Sequence, residues 1–306
     1  MKFFDFIITI LLLALLGLSM YLLWFNIPGK SIQFEEYFFN ATAESIPPQH
    51  VQFYPNMRFR SKNINYSISD QCDAGKLEEI EEGFSFISDK TILKFSKVKN
   101  DGEIKVFCSD ISPTPEEEGH FVAGEGGPSE IIDVENYAVI FSGKISLFRK
   151  SSCQKPNIAI HEILHALGFD HNNNQRSIMY PITDCSQTLD QYIIDEINKL
   201  YSIKELPDLT VERISAEKSG VYLKFKITIA NLGLKDSSNS VLSIYAGDEL
   251  IKEFDLESFD IGARKILSVD NLRVSRNSNS ITFEIKSSDN DLNKENNVVN
   301  LALLNN

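Results

Sequence analysis

Three of the five histidines in this 306-residue chain lie within eleven positions, in the stretch HEILHALGFDH from His161 to His171. On a helix, His161 and His165 are one turn apart and point to the same side, so both can offer a ring nitrogen to one metal ion. Gly168 lets the backbone leave the helix in a conformation that costs other residues more, and the chain can then bring His171 back to the same ion. The spacing therefore predicts a three-histidine metal site.

The ligand set indicates one catalytic Zn²⁺ ion. Three neutral imidazoles leave the fourth tetrahedral position open for water, which is the arrangement of a catalytic rather than a structural zinc site. Glu162 follows a ligand but points elsewhere on the helix, as suits a base that takes a proton from that water. Histidines that cap a helix or fill a polar face would explain one such residue, but not three at this spacing beside a glutamate and a glycine.

The same stretch is similar to H-E-x-x-H-x-x-G-x-x-H, the zinc signature of the metzincin metalloproteases. The segment SIMYP at 177–181 resembles the methionine turn of that group, and its short spacing and MYP ending resemble the matrixin branch most. The similarity covers roughly residues 60–201, since the order of elements is also alike. It implies zinc ligands at His161, His165 and His171, the general base at Glu162 and a hydrophobic floor at Met179.

The resemblance also implies a substrate site and shows some departures. Metzincin substrates pair as an extra strand with an exposed sheet edge beside the zinc, and we expect that edge within Glu130–Phe141. Matrixins usually carry a serine where Asn172 stands, and no cysteine precedes Cys72 to block the zinc. Family members bind a structural Ca²⁺ or a second Zn²⁺ near the loop at 119–131. In this chain, His120 and scattered carboxylates offer too few ligands for such an ion. We therefore expect the loop to form a flexible rim of the active site.

The elements around the histidines predict a compact α+β domain over residues 60–203. Alternating apolar residues in NINYSIS indicate a strand, and apolar residues three and four apart in GKLEEIEEGFSFIS indicate an amphipathic helix. YAVIFSGKISLF predicts a hairpin turning at Gly143. The histidine helix should begin near Pro156 and end at Gly168, and LDQYIIDEINKLY predicts a final helix. Such a domain has a mixed twisted sheet with an active-site helix and a C-terminal helix.

Four cysteines, none in a C-x-x-C pair, indicate disulfides rather than a cysteine zinc site. Three pairings are possible. If the strands next to Cys72 and Cys108 are parallel neighbours, those sulfurs lie at the same end of the sheet. Cys153 and Cys185 bracket the histidine cluster and would then join its two flanks. Free buried thiols in a cytosolic protein are the alternative, but the chain carries an export signal.

The rest of the chain, 207–306, predicts a second domain. It contains no cysteine, no histidine and no obvious helix, and short alternating runs such as VYLKFKITI are separated by Gly, Asn, Asp and Ser. This spacing is typical of a β-sandwich. The region resembles the cell-adhesion-related immunoglobulin-like modules of prokaryotic surface proteins, which implies a fold and leaves any surface ligand open.

At the other end, residues 6–25 form an uncharged run of the length that a membrane-spanning helix needs. Tyr21 and Trp24 suit the membrane interface. A retained anchor fits best, with residues 1–5 as a tail, 26–59 as a linker and the body outside the cell. The alternative is a signal peptide cleaved after the small residues Gly17 and Ser19, which would release a secreted protein.

Together these features predict a membrane-anchored zinc endopeptidase that hydrolyses peptide bonds of extracellular or cell-surface proteins. The net charge of −13 argues against a nucleic-acid partner, because phosphate binding needs clustered Lys and Arg. The alternative is a surface adhesion protein with an inactive zinc domain, but such a domain would be free to lose Glu162. A zinc hydrolase acting on a non-peptide amide also stays open.

Overall fold

The computed structural model describes residues 2–26, 31–34, 36–38, 51–114 and 121–302. His120 and much of the expected linker 26–59 lie outside the described residues. The chain begins with helix α1 (Lys2–Asn26). Its segment Phe6–Leu23 has a mean hydropathy of 2.6 and is not buried against the protein, so by length and composition it could cross a membrane or serve as a signal sequence.

Two short strands follow, β1 (Ser31–Gln33) and β2 (Tyr37–Phe38). The first domain comes next. Its elements are β3 (Arg58–Phe59), β4 (Asn63–Ile68), α2 (Ala74–Lys90), β5 (Lys94–Lys97), β6 (Ile104–Cys108), β7 (Gly124–Asp133), β8 (Ala138–Leu147), α3 (Asn157–Ala166) and α4 (Gln191–Ser202). Strands β5, β4, β6 and β8 lie side by side and parallel, β3 also pairs with β8 in parallel, and β7 runs antiparallel to β8 at the edge.

The core of this domain lies between the sheet and the two helices α2 and α3. Asp73 caps α2, since its carboxylate accepts the N–H groups of Gly75 and Lys76. The apolar face of α2 is buried through Ile80, Phe84 and Ile87. These residues share one cluster with the buried side chains of α3, so burial of both helices fixes α3 in the domain.

The expected hairpin at Gly143 is wrong. Strand β8 runs straight through that residue, whose added Cβ would lie 3.4 Å from Ala166 of α3. Gly143 therefore lies inside a strand, where it pairs with Ile104 of β6. The real hairpin joins β7 to β8, where Val134 N–H donates to the Tyr137 carbonyl and Glu135 has φ +64°. The exposed edge strand is accordingly β7, which overlaps the expected range Glu130–Phe141 only at its C-terminal end.

Two disulfides close loops of the first domain. Cys72 and Cys108 are joined where the parallel neighbours β4 and β6 both end, with their Cα atoms 4.9 Å apart. Cys153 and Cys185 are joined across the flanks of the histidine cluster, with their Cα atoms 5.2 Å apart. These are the two pairings that the strand order suggested.

The second domain is a β-sandwich. Its strands are β9 (Leu209–Ser219), β10 (Tyr222–Asn231), β11 (Ser240–Ala246), β12 (Glu249–Glu257), β13 (Arg264–Arg273), β14 (Ser280–Ser287) and β15 (Val298–Ala302). One sheet has the order β1-β9-β10-β13, with β2 also on β9, and the other has the order β12-β11-β14-β15. The predicted fold class, an α+β domain followed by an all-β sandwich with an N-terminal apolar helix, is confirmed.

The strands β1 and β2 correct the expected linker. They pair antiparallel with β9, and Phe34 between them is buried in the sandwich core, where its N–H donates to the Ala216 carbonyl. Pairing covers an edge of β9 that would otherwise expose its backbone groups. The segment before the first domain is therefore part of the second domain's sheet.

The two domains also share an apolar contact. Val134 and Val139 of the β7–β8 hairpin are buried in one cluster with Leu232 and Ile261 of the sandwich. Gly262 lies so close to this hairpin that an added Cβ would stand 2.5 Å from Ile132 Cγ2. The contact places the end of the edge strand against the sandwich.

Candidate metal centre

The active-site helix α3 is buried along its whole length. It ends at Leu167, and Gly168 follows with φ +96°, a conformation that glycine adopts without strain. A Cβ on Gly168 would also lie 2.5 Å from the Met57 side chain. Both the backbone angle and the packing require a glycine here, and the turn that it makes sends the chain back toward the helix.

The turn brings the three expected ligands together. The Nε2 atoms of His165 and His161 are 3.0 Å apart, those of His165 and His171 are 3.1 Å apart, and those of His161 and His171 are 3.2 Å apart. Tetrahedral ligands at the usual zinc–nitrogen distance stand about 3.3 Å from one another. The spacing of the nitrogens therefore fits an ion of that size.

The hydrogen bonds of the other ring nitrogens set the tautomers. His161 Nδ1 donates to the Ile178 carbonyl at 2.6 Å, and His165 Nδ1 donates to the Phe169 carbonyl at 2.8 Å. Because a carbonyl can only accept, the proton is on Nδ1 and each Nε2 turns a lone pair toward the centre. Burial, with the nearby histidines, lowers the pKa of His161 to about 3, and burial lowers that of His165 to about 4. Lone pairs of neutral imidazoles repel one another at these distances, and a cation bound between them would remove that repulsion.

The methionine segment holds the ligands through its backbone. Met179 is fully buried, and its carbonyl accepts the N–H of Asn172, the residue after His171. The neighbouring Ile178 carbonyl is the one that orients His161. The Asn172 side chain in turn donates to Ser177 Oγ at 2.7 Å. The segment thus fixes two of the three ligand positions at once, and Asn172 is part of that bonding.

Glu162 lies beside the triad under the edge strand. Its side chain is 5% exposed. Burial, and then the negative charge of Glu125, raise the pKa of Glu162 to about 8. Added Cβ atoms on Gly124 and Gly126 would lie 2.7 Å from Glu162 Cγ and 2.2 Å from the Glu162 carbonyl oxygen. The glycines of β7 therefore allow the strand to lie directly on the catalytic helix.

A cleft of about 1030 Å³ opens over these groups. One side is β7, and the other is formed by the segments before α3 and after Met179. The lining also includes Phe53, whose ring stacks on His165 with centroids 5.7 Å apart, and both Cys153 and Cys185. Sequence reasoning missed Phe53 and the β7 glycines as parts of the site. The run GEGG was the available signal, since clustered glycines in a strand indicate close backbone approach.

Within the described residues, the three histidines form the one group of at least three His, Cys, Asp or Glu side chains close enough together to hold a metal ion. Because His120 lies outside those residues, the rim expected at 119–131 is described only from Phe121 onward, and from Gly124 onward it is strand β7 rather than a flexible loop.

Comparison with known proteins gives two family matches. Residues 58–202 match the family model described as matrixin, and residues 206–301 match the model described as CARDB. No match was found among curated proteins. Among solved structures, the chain is similar to the CARDB domain of a Pyrococcus furiosus protein in complex with di-metal ions. The identity is 21%, the coverage is 32% of this chain and 89% of that chain, and the TM-score is 0.27.

Proposed function

The chain carries a matrixin-family domain followed by a CARDB domain, and on that basis we propose that it is a zinc-dependent endopeptidase acting on proteins or peptides outside the cell. The family membership supports a zinc metallopeptidase. The observation that carries the proposal is the triad itself. Three histidines bring their Nε2 atoms within 3.2 Å of one another, and a buried carboxyl group lies next to them.

In the proposed reaction, His161, His165 and His171 hold the ion. When bound, zinc supplies a Lewis acid that polarises the peptide carbonyl and acidifies water. Glu162 takes the proton as water attacks the carbonyl carbon and then gives it to the leaving amine nitrogen, so it acts twice in each turnover. Burial alone favours the protonated form of Glu162, and a cation in the triad would favour the charged form that accepts the proton.

The edge strand β7 suits a substrate that binds as an extra strand. Its outer side has no strand partner among the described residues, and its residues Gly124–Gly126 pass over Glu162. An extended peptide paired with β7 would therefore lie across the triad. Exposed apolar side chains at the rim, Phe53, Phe121 and Ile182, offer contacts to apolar substrate residues.

We further propose that the body lies outside the cell. Two disulfides support an oxidising compartment, and α1 supports export as an anchor or as a signal. The CARDB domain, an adhesion-related module, would hold the peptidase near a surface ligand.

The test is metal analysis joined to cleavage of a mixed peptide library by the full chain. We expect close to one zinc per chain, cleavage that a chelator abolishes, and recovery when zinc is added back. Zinc bound with no cleavage of any peptide would favour the adhesion protein with an inactive zinc domain. Protein made with zinc present but holding none would overturn the metal centre as well.

A further inference from the structure

A disulfide joins two of the segments that line the cleft. Cys153 ends the lining segment Arg149–Cys153, Cys185 ends the lining segment Tyr180–Cys185, and the disulfide between them joins the two. Cys185 is exposed and Cys153 is half-buried, so the bridge faces the cleft rather than the core. We call residues 180–185 the wall loop.

The wall loop has few other fixed points. It contains no strand or helix, and Pro181, Ile182 and Thr183 are exposed. Asn157 Nδ2 of α3 donates to the Asp184 carbonyl at 2.8 Å. Gln187 Nε2 donates to the Ile182 carbonyl at 2.8 Å, and Gln187 Oε1 accepts the Asp184 N–H at 2.9 Å. Since Gln187 lies two residues beyond Cys185, its bonds shape the loop locally, and the disulfide and Asn157 attach the loop to α3 and to the segment before it.

The other half of the bridge is attached to the domain core. The Ser151 N–H donates to Glu79 Oε2 at 2.9 Å, and Glu79 is buried on α2. Cys153 N–H donates to the Ser151 hydroxyl at 3.1 Å. The core therefore fixes the position of Cys153. Because the disulfide bonds Cys153 to Cys185, it also restrains the wall loop.

The metal centre does not depend on the bridge. His161 and His165 are oriented by the carbonyls of Ile178 and Phe169, and the chain after His171 is held by Met179. All three of these backbone contacts precede the wall loop. Opening the bridge would release the wall while leaving the histidines in place.

We propose that the Cys153–Cys185 disulfide is a specificity determinant, because it holds the wall loop to the segment before α3 and so fixes the side of the cleft that lies opposite β7. The proposal rests on the proposed peptidase function. Side chains that enter the cleft next to the scissile bond must fit between Ile158, Ile182 and the bridge, all of which line it. A wall loop held by the disulfide excludes substrate side chains that are too large. A wall loop without the disulfide can move to accommodate side chains of different sizes.

The test compares two double variants of the full chain. Cys153→Ser with Cys185→Ser opens the wall, and Cys72→Ser with Cys108→Ser is the matched control, because that bridge closes a similar loop but does not line the cleft. For each protein, kcat/KM is measured on peptides that differ in one side chain next to the cleaved bond. Zinc content and hydrogen exchange at residues 180–185 are measured on the same samples.

A closed apolar pocket separates side chains that differ by one methylene by about 10–200-fold. We expect the spread of kcat/KM in the open-wall variant to shrink at least tenfold, with parent-like zinc content and faster exchange at the wall loop. The control should keep the parent's spread and exchange. Unchanged selectivity in the open-wall variant, with zinc and peptide cleavage retained, would overturn the proposal.

Two further measurements test the proposal if the open-wall variant does not fold or if the parent shows no cleavage. If the open-wall variant does not fold, a phosphine reductant opens the exposed Cys153–Cys185 bridge in the folded parent, and unchanged exchange and selectivity with both thiols free would count against us. If the parent cleaves no peptide, the proposed peptidase function is refuted. Hydrogen exchange at residues 180–185, compared between the parent and the open-wall variant, then still shows whether the disulfide immobilises the wall loop.

Discussion

Gly126→Ala should damage the peptidase while the neighbouring Gly127→Ala does not. A Cβ on Gly126 would lie 2.2 Å from the Glu162 carbonyl oxygen and 2.9 Å from its Cα, whereas a Cβ on Gly127 would meet nothing within 4 Å. The obstacle is the backbone of α3 rather than the end of a side chain, so the strand itself has to move. Both residues belong to β7 and neither has a positive φ, which makes Gly127 a matched control.

The magnitude follows from that distance. To relieve the contact, β7 must withdraw from 2.2 Å to ordinary van der Waals separation, a displacement of roughly 1 Å or more. A misplacement of about 1 Å between substrate and catalytic groups can cost about 100-fold in rate. Overpacking of this kind also lowers the free energy of unfolding by about 1–3 kcal/mol. Gly127→Ala should stay within about 0.5 kcal/mol of the parent, as surface substitutions usually do.

The assay is kcat/KM on one good peptide substrate, with zinc content and thermal unfolding recorded for each protein. We expect Gly126→Ala to hold zinc, since no histidine contact is touched, but to lose about 100-fold in kcat/KM. Parent-like kinetics in both alanine variants would refute the idea that β7 presents the substrate to Glu162. An equal loss in both would show that the strand is sensitive to any substitution.

The remaining predictions concern the catalytic base, one ligand and the domain contact. Glu162→Ala should keep parent-like zinc and lose about 10²–10⁴ in kcat, and a parent-like rate would place the activity elsewhere. His171→Ala should lose zinc on dialysis that the parent withstands, because one of three ligands is gone; equal retention in metal analysis would contradict its role. Gly262→Ala should lower the free energy of unfolding by about 1–3 kcal/mol more than Gly247→Ala, since both have positive φ but only the Cβ at 262 strikes Ile132. Equal melting temperatures for those two variants would mean that the interface tolerates the contact.

The sequence predicts the clustering of the three histidines because its signals are local. His161 and His165 are related by helix periodicity, and Gly168 marks the turn that returns His171. The strand order suggested the cysteine pairs, because parallel neighbours end at the same edge of a sheet. These relations depend on backbone geometry over a few residues, or on one pairing between adjacent strands.

The errors come from features that only tertiary contact decides. Gly143 has the same local pattern in a turn and in a strand, and the residue that decides between them, its partner Ile104 in β6, is distant in sequence. The strands β1 and β2 are too short to show alternation. Val134 and Leu232 look like ordinary core residues, yet they meet each other across two domains.

The pairing of β1 and β2 with β9 makes the first domain an insertion. Along the chain, one sheet of the sandwich begins at Ser31, is interrupted by the first domain, and resumes at Leu209. Both ends of the inserted domain are thus attached to the same sheet, as in folds that accept insertions because their termini lie close together. A nick in the connection near Pro207 would leave the C-terminal half joined to the strand after α1 by backbone hydrogen bonds and by Phe34 in the core. Shedding of the sandwich from the N-terminal segment would therefore require unfolding of that sheet as well as a cut.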